Sequence, residues 1–385
     1  MHILIAPNAF KNSLDAEQAA LAIAEGLKQS KLECTAQLFP IADGGDGTGS
    51  LILKSCNGTV LTREVTDPLG RKITAKFGLI ENNTTAVIEM ADASGLRLLK
   101  KDKLNPLKAT SYGTGELIKF ALDEGVSRII IAMGGSATVD GGCGILNALG
   151  IVFRDADENA LPANPGALMN MVSIDASGLD KRIFHCEIVI LCDVNNRLLG
   201  PDGAVAVFGP QKGASAEELP VLENFLKQFA EISQAQTGKD MAIIKHGGAA
   251  GGATAGLHTW LNAKLVNGIE YFLKLTQFTE VLQHADLVIT GEGSIDRQTL
   301  QGKGPYGVAL QARQKAILVI GIAGKVPLTQ DDDLAEYFDA LVSINNEPCD
   351  MQTAMANTET NLIRTAVMLG NVLALEDNVR MFRRE

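Results

Sequence analysis

The sequence has few of the residue patterns that bind structural metal ions or form disulfide frameworks. Its six cysteines contain no C-x-x-C pair, and its five histidines lie too far apart for a zinc-binding motif. Scattered cysteines of this kind are typical of a protein kept in a reducing compartment. We therefore expect a cytoplasmic protein without a structural zinc site.

Positive charge and long apolar runs are also scarce. The formal net charge is −11, so neither a nucleic acid nor an anionic membrane is the expected partner. No apolar run approaches the roughly 18 residues of a membrane-spanning helix. The first residues, MHILIAPNAFK, predict a β-strand rather than a signal peptide.

Three common catalytic motifs are missing. A Walker A loop needs a glycine five positions before each Gly-Lys pair, and those positions hold Ser233, Val319 and Arg297. No G-x-G-x-x-G follows a predicted strand and opens a helix, and no G-x-S-x-G is present. P-loop enzymes, nicotinamide dehydrogenases and serine hydrolases are therefore disfavoured.

The patterns that are present indicate an α/β protein. A chain of 385 residues, 46% of them hydrophobic, is long enough for two domains. Continuous apolar runs are typical of parallel strands buried on both faces. They are Ile3–Ala6, Ala86–Met90, Arg128–Met133, Glu187–Cys192, Asp286–Thr290, Ala316–Ile320 and Ala340–Ile344. Helical patterns lie between them, the first capped by Asp15 with Gln18 three residues on.

Ligands of open α/β sheets bind beyond the carboxyl ends of the strands, so the loops there are the candidate sites. The stretch IADGGDGTG places Asp43 and Asp46 among four glycines. These carboxylates are either turn and cap residues or ligands for a cation that binds a phosphate-bearing molecule. The loop Gly134–Gly142 offers main-chain N–H groups and hydroxyls for phosphate, with a plain turn into a packed helix as the alternative.

Two further glycine-rich runs leave both interpretations open. The run GGAAGG at 247–252 suits either ligand approach or tight packing. Lys212, in the loop FGPQKG, is a candidate phosphate or carboxylate contact, although a loop lysine is more often solvated.

The most informative loop is TGEGSIDRQT at 290–299, followed by Lys303. Glu292 comes directly after a predicted strand, Asp296 follows it, and Asp193 follows the strand EIVILC in the same way. Carboxylates and a lysine at strand ends suit Mg²⁺-assisted phosphoryl transfer. Asp193 and Asp296 would alternatively cap helices.

Taken together, these residues resemble the type I glycerate kinase family over the whole chain. The matching motifs are APNAFKNSL, ADGGDGT, MGGSATVDGG, CDVNN, FGPQKGA, GGAAGG and TGEGSIDRQTLQGK, in that order. The resemblance implies ATP- and Mg²⁺-dependent phosphorylation of D-glycerate to 2-phosphoglycerate. It also implies two α/β lobes with a cleft between them: a discontinuous Rossmann- or flavodoxin-like lobe at 1–75 plus 265–385, and an inserted lobe at 76–264.

With this resemblance, each candidate residue receives a hypothetical role. The candidate metal ligands are Asp193, Glu292 and Asp296. Either Asp43 or Asp193 accepts the proton of the glycerate hydroxyl, and Lys11 and Lys303 neutralise the carboxylate or the transferring phosphate. The candidate substrate and phosphate contacts are Asp46, Gly134, Gly135, Ser136, Thr138 and Lys212.

The expected partners are D-glycerate and a nucleotide, with a homo-oligomer left open. Two alternatives remain at this point. One is a kinase for another small hydroxy acid or polyol on the same scaffold, and the other is a catalytically silent, ligand-binding regulator.

The sequence departs from the usual family pattern at several positions. Asn8-Ala9 replaces the usual Asp-Ser, Asp46 a common Glu, Val139 a usual Asn, and Arg197 a usual Pro. Asn8 removes a charge at a strand end, and Val139 removes a polar group from the predicted phosphate loop.

Overall fold

The computed structural model describes the backbone of residues 1–382 and the side chains of residues 1–375. The chain forms two compact units, one made of Met1–Asp43 with Ile269–Glu385 and the other of Gly44–Gly268. The first unit is therefore discontinuous in sequence and the second is continuous.

The strands, in chain order, are β1 (His2–Pro7), β2 (Thr35–Leu38), β3 (Thr59–Thr66), β4 (Lys72–Ile80), β5 (Thr85–Glu89), β6 (Arg128–Ala132), β7 (Val152–Arg154), β8 (Ser173–Asp175), β9 (Glu187–Cys192), β10 (Lys264–Asn267), β11 (Leu287–Ser294), β12 (Leu318–Lys325) and β13 (Ala340–Ser343). The α-helices are α1 (Ala16–Gln29), α2 (Thr48–Ser55), α3 (Met90–Ser94), α4 (Tyr112–Asp123), α5 (Cys143–Ala148), α6 (Pro165–Leu168), α7 (Ala204–Phe208), α8 (Glu218–Thr237), α9 (Ala253–Leu261), α10 (Gly268–Leu275), α11 (Phe278–Leu282), α12 (Gly304–Gln314), α13 (Asp332–Ala335), α14 (Met351–Ala356) and α15 (Thr358–Phe382).

The first unit is built on a five-stranded sheet of order β13-β12-β11-β1-β2, and every neighbouring pair is parallel. In this unit's own chain order the strands run 2-1-3-4-5, as in flavodoxin-like folds, and the order reverses between β1 and β11. The register pairs Pro7 with Gly291, so Asn8 and Glu292 come next at the same edge of the sheet.

Helix α1 forms as its sequence predicts. Asp15 accepts a hydrogen bond from the main chain of Gln18, whose side chain accepts one from the main chain of Asp15, completing the capping box. The buried face of α1 includes Ile23 and Leu27, which join the apolar core of the first unit together with strand and α15 residues.

The second unit is built on a six-stranded sheet of order β10-β9-β6-β5-β4-β3. Strands β10, β9, β6 and β5 are parallel, whereas β4 and β3 form an antiparallel hairpin at the edge. A two-stranded antiparallel sheet of β7 and β8 completes this unit. The first boundary lies after residue 43, not after 75 as expected, because the hairpin extends the second unit's sheet.

Each of the seven apolar runs overlaps a strand, namely β1, β5, β6, β9, β11, β12 and β13, although the run Ala316–Ile320 begins two residues before β12. The α/β prediction is confirmed. The sequence analysis missed the hairpin β3–β4 and the short strands β2, β7, β8 and β10. Among the described residues, no helix is long and apolar enough to cross a membrane.

Candidate active site

In the first unit, a charged group forms at the topological switch between β1 and β11. We call it the Glu292 cluster: Asp43, Glu292, Lys11, Lys303 and Thr299. Glu292 is only 7% exposed and accepts a hydrogen bond from the Thr299 hydroxyl, at 3.3 Å. The structure thus brings together four of the residues that the sequence analysis selected.

Burial raises the pKa of Glu292 to about 7, and the nearby negative charge of Asp43 raises it further. Lys303 and Lys11 oppose this rise. Two buried acids with two lysines around them form a site where an added cation would relieve the repulsion between the carboxylates.

Asn8 belongs to the same edge of the sheet. Its side-chain amide donates to Oδ2 of Asp43 at 2.8 Å, and both residues are buried. The asparagine therefore orients the Asp43 carboxylate without adding a further negative charge. Gly304 leaves space for this side chain, since a Cβ at that position would lie 2.8 Å from the Asn8 amide nitrogen.

Asp296 has a different environment. Its Oδ1 accepts a hydrogen bond from the main-chain N–H of Gln298 at 2.8 Å, and its main-chain carbonyl oxygen accepts one from the main-chain N–H of Thr299. The side chain therefore stabilises the local turn that precedes the 3₁₀ helix Thr299–Gln301, although that helix has Gln298 at its N-cap position and no side-chain cap. Its half-buried carboxylate has only part of its accepting capacity left for a metal ion.

In the second unit, residues 44–47 pass over the carboxyl ends of β9 and β6. A Cβ on Gly44 would lie 3.0 Å from the Leu191 carbonyl oxygen, and one on Gly134 would lie 2.2 Å from the Gly45 carbonyl carbon. The N–H of Gly134 donates to the Gly44 carbonyl at 3.2 Å. Glycine is therefore needed here for close backbone packing, and the N–H of Gly134 is already bonded within the protein.

Asp46 is part of what we call the Arg97 cluster: Asp46, Glu89, Asp92 and Arg97. Arg97 donates to Asp46 at 2.7 Å and also to Asp92, and its guanidinium lies 3.9 Å from Glu89. An arginine that donates to the carboxylates of both Asp46 and Asp92 is already neutralised, so this arrangement favours a structural role for Asp46 over phosphate binding.

Glu89 is the buried member of this cluster. Burial and the hydrogen bond with Asp46 raise its pKa to about 8, against the opposing hydrogen bond from the main chain of Gly47. The sequence analysis missed Glu89, Asp92 and Arg97. The available signal was Glu89 itself, a carboxyl group at the end of an otherwise apolar strand.

The predicted phosphate loop gains a buried lysine. Lys212 donates from Nζ to the Ser136 hydroxyl and to the Thr138 carbonyl oxygen, each at 2.8 Å. Burial lowers the pKa of Lys212 to about 7, while the nearby charge of Asp140 acts in the opposite direction. Lys212 is therefore not the solvated loop lysine considered from the sequence.

Asp140 organises the rest of this loop. Its carboxylate accepts from the main chain and hydroxyl of Ser111, both at 2.7 Å, and from the main chain of Gly142 and Gly144. The Ala137 N–H donates to the Ser94 carbonyl. The loop is thus held by internal hydrogen bonds, and Ser136 and Thr138 carry its side-chain hydroxyls.

The run GGAAGG packs against that loop. Gly251 has φ +66° and would place a Cβ 2.1 Å from the Thr138 carbonyl oxygen, while Gly248 would place one 2.2 Å from the Arg197 carbonyl oxygen. Of the two interpretations left open, these contacts favour tight packing.

Asp193 lies where the sequence placed it, directly after β9, and it is half-buried. Its charge, together with burial as the larger cause, raises the pKa of the Cys192 thiol to about 12. Across the part of the chain that the structure describes, no group of three or more His, Cys, Asp or Glu side chains is arranged to hold a metal ion.

The family model described as the glycerate kinase family matches residues 3–374. The chain belongs to the glycerate kinase family. The glycerate kinase of Bacillus subtilis (strain 168) is 44% identical over 95% of this chain and 96% of its own length. The glycerate 2-kinase of Escherichia coli (strain K12) is 41% identical over 97% of this chain and 98% of its own.

A solved structure agrees with these relatives. The crystal structure of a protein assigned as glycerate kinase 2 from Salmonella typhimurium LT2 is 42% identical, with a TM-score of 0.81, over 98% of this chain and 99% of that one. As a member of the glycerate kinase family, the chain is a phosphotransferase with an alcohol group as acceptor, and its phosphate donor is ATP.

Two departures from the family pattern can now be located. Val139 is fully buried in the apolar core of the second unit, so this side chain does not face a phosphate. Asn8, as described above, orients Asp43.

Proposed function

We propose that this glycerate kinase family member transfers the γ-phosphoryl group of ATP to the 2-hydroxyl of D-glycerate. The observation that carries the proposal is the Glu292 cluster, in which two buried carboxylates and two lysines meet at the switch point of a parallel sheet. Phosphoryl transfer depends mainly on positioning and on neutralising charge, and this group supplies both signs of charge.

The donor set fits Mg²⁺. This ion takes oxygen ligands and is usually held by one or two carboxylates together with substrate phosphates. Glu292 is the carboxylate we propose for it, and the negative charge of Asp43 beside this buried group favours a bound cation. Bound there, Mg²⁺ would supply charge neutralisation on the phosphate oxygens.

In the proposed reaction, the oxygen of the glycerate 2-hydroxyl forms a bond to the γ-phosphorus while the bond to the β,γ-bridging oxygen breaks. ADP leaves, and a carboxylate accepts the hydroxyl proton. We favour Asp43 over Asp193 as that acceptor, because Asn8 fixes the Asp43 carboxylate at the same strand ends as Glu292. Lys11 and Lys303 hold the negative charges of the carboxylate and the transferring phosphoryl group.

In the second unit, Ser136 and Thr138, braced by Lys212, remain the proposed anion contacts. Gly134 and Asp46 are weaker candidates, because each is already bonded within the protein. We place the enzyme in the cytoplasm, a proposal supported by its six free cysteines.

The test is ³¹P NMR of the purified protein with ATP, Mg²⁺ and D-glycerate, beside L-glycerate and a panel of other hydroxy acids. A phosphomonoester from D-glycerate, with the coupling expected for the 2-position, supports the proposal. A product only elsewhere in the panel would make it a kinase for another hydroxy acid. Binding without any product would instead indicate a silent regulator.

A further inference from the structure

A cavity of about 420 Å³ opens at the carboxyl edge of the first unit's sheet. Its wall is formed by the turn after β1, the ends of β11 and β12, and the segment from β13 to the start of α15. It therefore lies beside the switch between β1 and β11, where sheets of this strand order bind ligands. Of the residues given roles above, Lys11 alone lines it.

The lining of this cavity is largely apolar. Pro348, Met351 and Met355 present exposed or half-buried apolar side chains to it, whereas Phe10 and Ile344 line it but are almost fully buried. Methionine side chains are flexible enough to fit a flat aromatic ring, and methionine sulfur makes favourable contacts with such rings. The cavity is thus suited to an aromatic ring rather than to a small polar acid.

The walls are fixed by hydrogen bonds. The Ser13 hydroxyl donates to the Met355 carbonyl at 2.6 Å, which ties the turn after β1 to α14. On the other side, the Asn345 amide donates to the Gly324 carbonyl at 2.8 Å. The segments that form the cavity wall are therefore held together by hydrogen bonds.

One end of the cavity adjoins the Glu292 cluster. Gly293 and Ser294, the two residues that follow Glu292, line it, as do Lys11 and Lys325. Lys11 is close enough to Glu292 to oppose the rise in the pKa of that carboxyl. A ligand that fills the cavity would have its apolar part among the methionines and an anionic part near the lysines.

We propose that this cavity binds the nucleoside part of the phosphate donor, with the purine ring against the methionines of α14, Met351 and Met355. Glycerate has three carbons and no apolar surface, so it cannot account for a cavity of this size and lining. A volume of about 420 Å³ lies in the range of roughly 300–1,000 Å³ that is common for small-molecule sites. The inference rests on the proposed function, phosphoryl transfer from ATP to glycerate.

The first test uses Cys349, an exposed free thiol on the cavity wall. Its alkylation by iodoacetamide is followed by peptide mass spectrometry, with Cys34 as an internal reference outside the cavity. We expect ADP and adenosine each to slow modification of Cys349 severalfold, and pyrophosphate or D-glycerate alone to leave it unchanged. Protection by D-glycerate instead, or by neither nucleotide nor nucleoside, would overturn the proposal.

The second test fills the cavity. Ala354 lines it, whereas Ala356 lies in the same short helix, is exposed and is not part of the wall. Ala354→Phe should raise the Kd for ADP by about tenfold without changing the Kd for D-glycerate, and Ala356→Phe should change neither. An equal effect of both variants, or no effect of Ala354→Phe in a folded protein, contradicts the assignment.

Both tests measure binding without turnover. If adenosine protects Cys349 but D-glycerate is not phosphorylated, the proposed nucleoside site is supported and the proposed reaction is contradicted. If D-glycerate is phosphorylated but neither ADP nor adenosine protects Cys349, the proposed reaction is supported and the proposed site is contradicted.

Discussion

Glu292 and Glu89 are both buried carboxyl groups near the carboxyl ends of strands, but their neighbours differ. Glu292 has two lysines close to it, whereas Glu89 shares one arginine with two other acids. The first arrangement places positive and negative charges around one buried carboxyl group, which suits a cation and an anionic substrate. The second is complete within the protein, which is why we assign chemistry to Glu292 and structure to Glu89.

Replacing Glu292 by glutamine tests its role directly. Glu292→Gln keeps the volume and can keep the hydrogen bond from Thr299, but it removes a negative charge that we assign to cation binding. We expect kcat/KM for phosphoryl transfer to fall by roughly 100-fold or more, as for the loss of a major electrostatic contact in a transition state. Glu336→Gln, an exposed change in the same unit, should have no effect. Full activity of Glu292→Gln would remove Glu292 from the mechanism.

Glu89 makes stability depend on pH. Folding raises its pKa from 4.5 to about 8, so between these values the folded protein holds a proton that the unfolded chain has released. The contribution of Glu89 to stability therefore falls as the pH rises through this window, by up to about 1.4 kcal/mol per pH unit. Glu89→Gln, which is always neutral, should be increasingly more stable than the wild type as the pH rises from about 5 to about 8.

Thermal unfolding across this pH range measures the difference between Glu89→Gln and the wild type. Exposed Glu64 on β3 gives the matched control, and Glu64→Gln should follow the wild-type pH dependence. A constant offset between Glu89→Gln and the wild type at every pH would show that Glu89 is ionised in the folded protein.

At this scale, the sequence identified several residues that the structure brings together in the Glu292 cluster. Asp43, Glu292 and Lys303 could be found because each lies in a glycine-rich stretch next to a strand or helix, where a charged side chain suggests a ligand contact. Arg97 could not, because its pairing with Asp46 joins residues far apart in the chain, and only the fold sets that distance. The burial of Lys212 could not be predicted for the same reason, since it depends on packing against a loop far away in the chain.

At the scale of elements, the strands that were predicted are those buried on both faces. The hairpin β3–β4 was missed because its first strand is mostly exposed and carries alternating polar residues rather than a continuous apolar run. The turn Asp67-Pro68-Leu69-Gly70 between the two strands was a usable signal. Edge strands of this kind are indicated by alternating polar and apolar residues and not by a continuous apolar run.

The packing of the GGAAGG run gives a prediction at the same scale. Gly251 and Gly238 have similar φ values, +66° and +72°, but a Cβ at 238 would meet nothing within 4 Å. Gly238→Ala should therefore cost only the strain of a left-handed residue, about 1–2 kcal/mol. Gly251→Ala adds a collision with the Thr138 carbonyl oxygen, so its loss of stability in chemical denaturation should be clearly larger. Equal losses would show that the run is not held by close packing.

At the scale of the whole molecule, each unit has its own apolar core. One core cluster draws its buried residues from 65–263, and the other from 3–32 together with 287–374. The discontinuous arrangement follows from the family resemblance, but its first boundary does not follow from apolar runs alone. It is set by the pairing of β4 with β5, which no local pattern reports.

This boundary can be tested with two fragments. Residues 44–268 contain the complete six-stranded sheet and its core, so we expect this fragment to fold alone and to unfold cooperatively. Residues 76–264, the lobe expected from the sequence, begin inside β4 and lose β3, which leaves buried residues such as Val65 and Ala75 out of the core. We expect that shorter fragment to lack the near-ultraviolet circular dichroism and the cooperative thermal transition of the longer one. Equal cooperativity in both would mean that the hairpin is dispensable and that the fold of the second unit is complete without it.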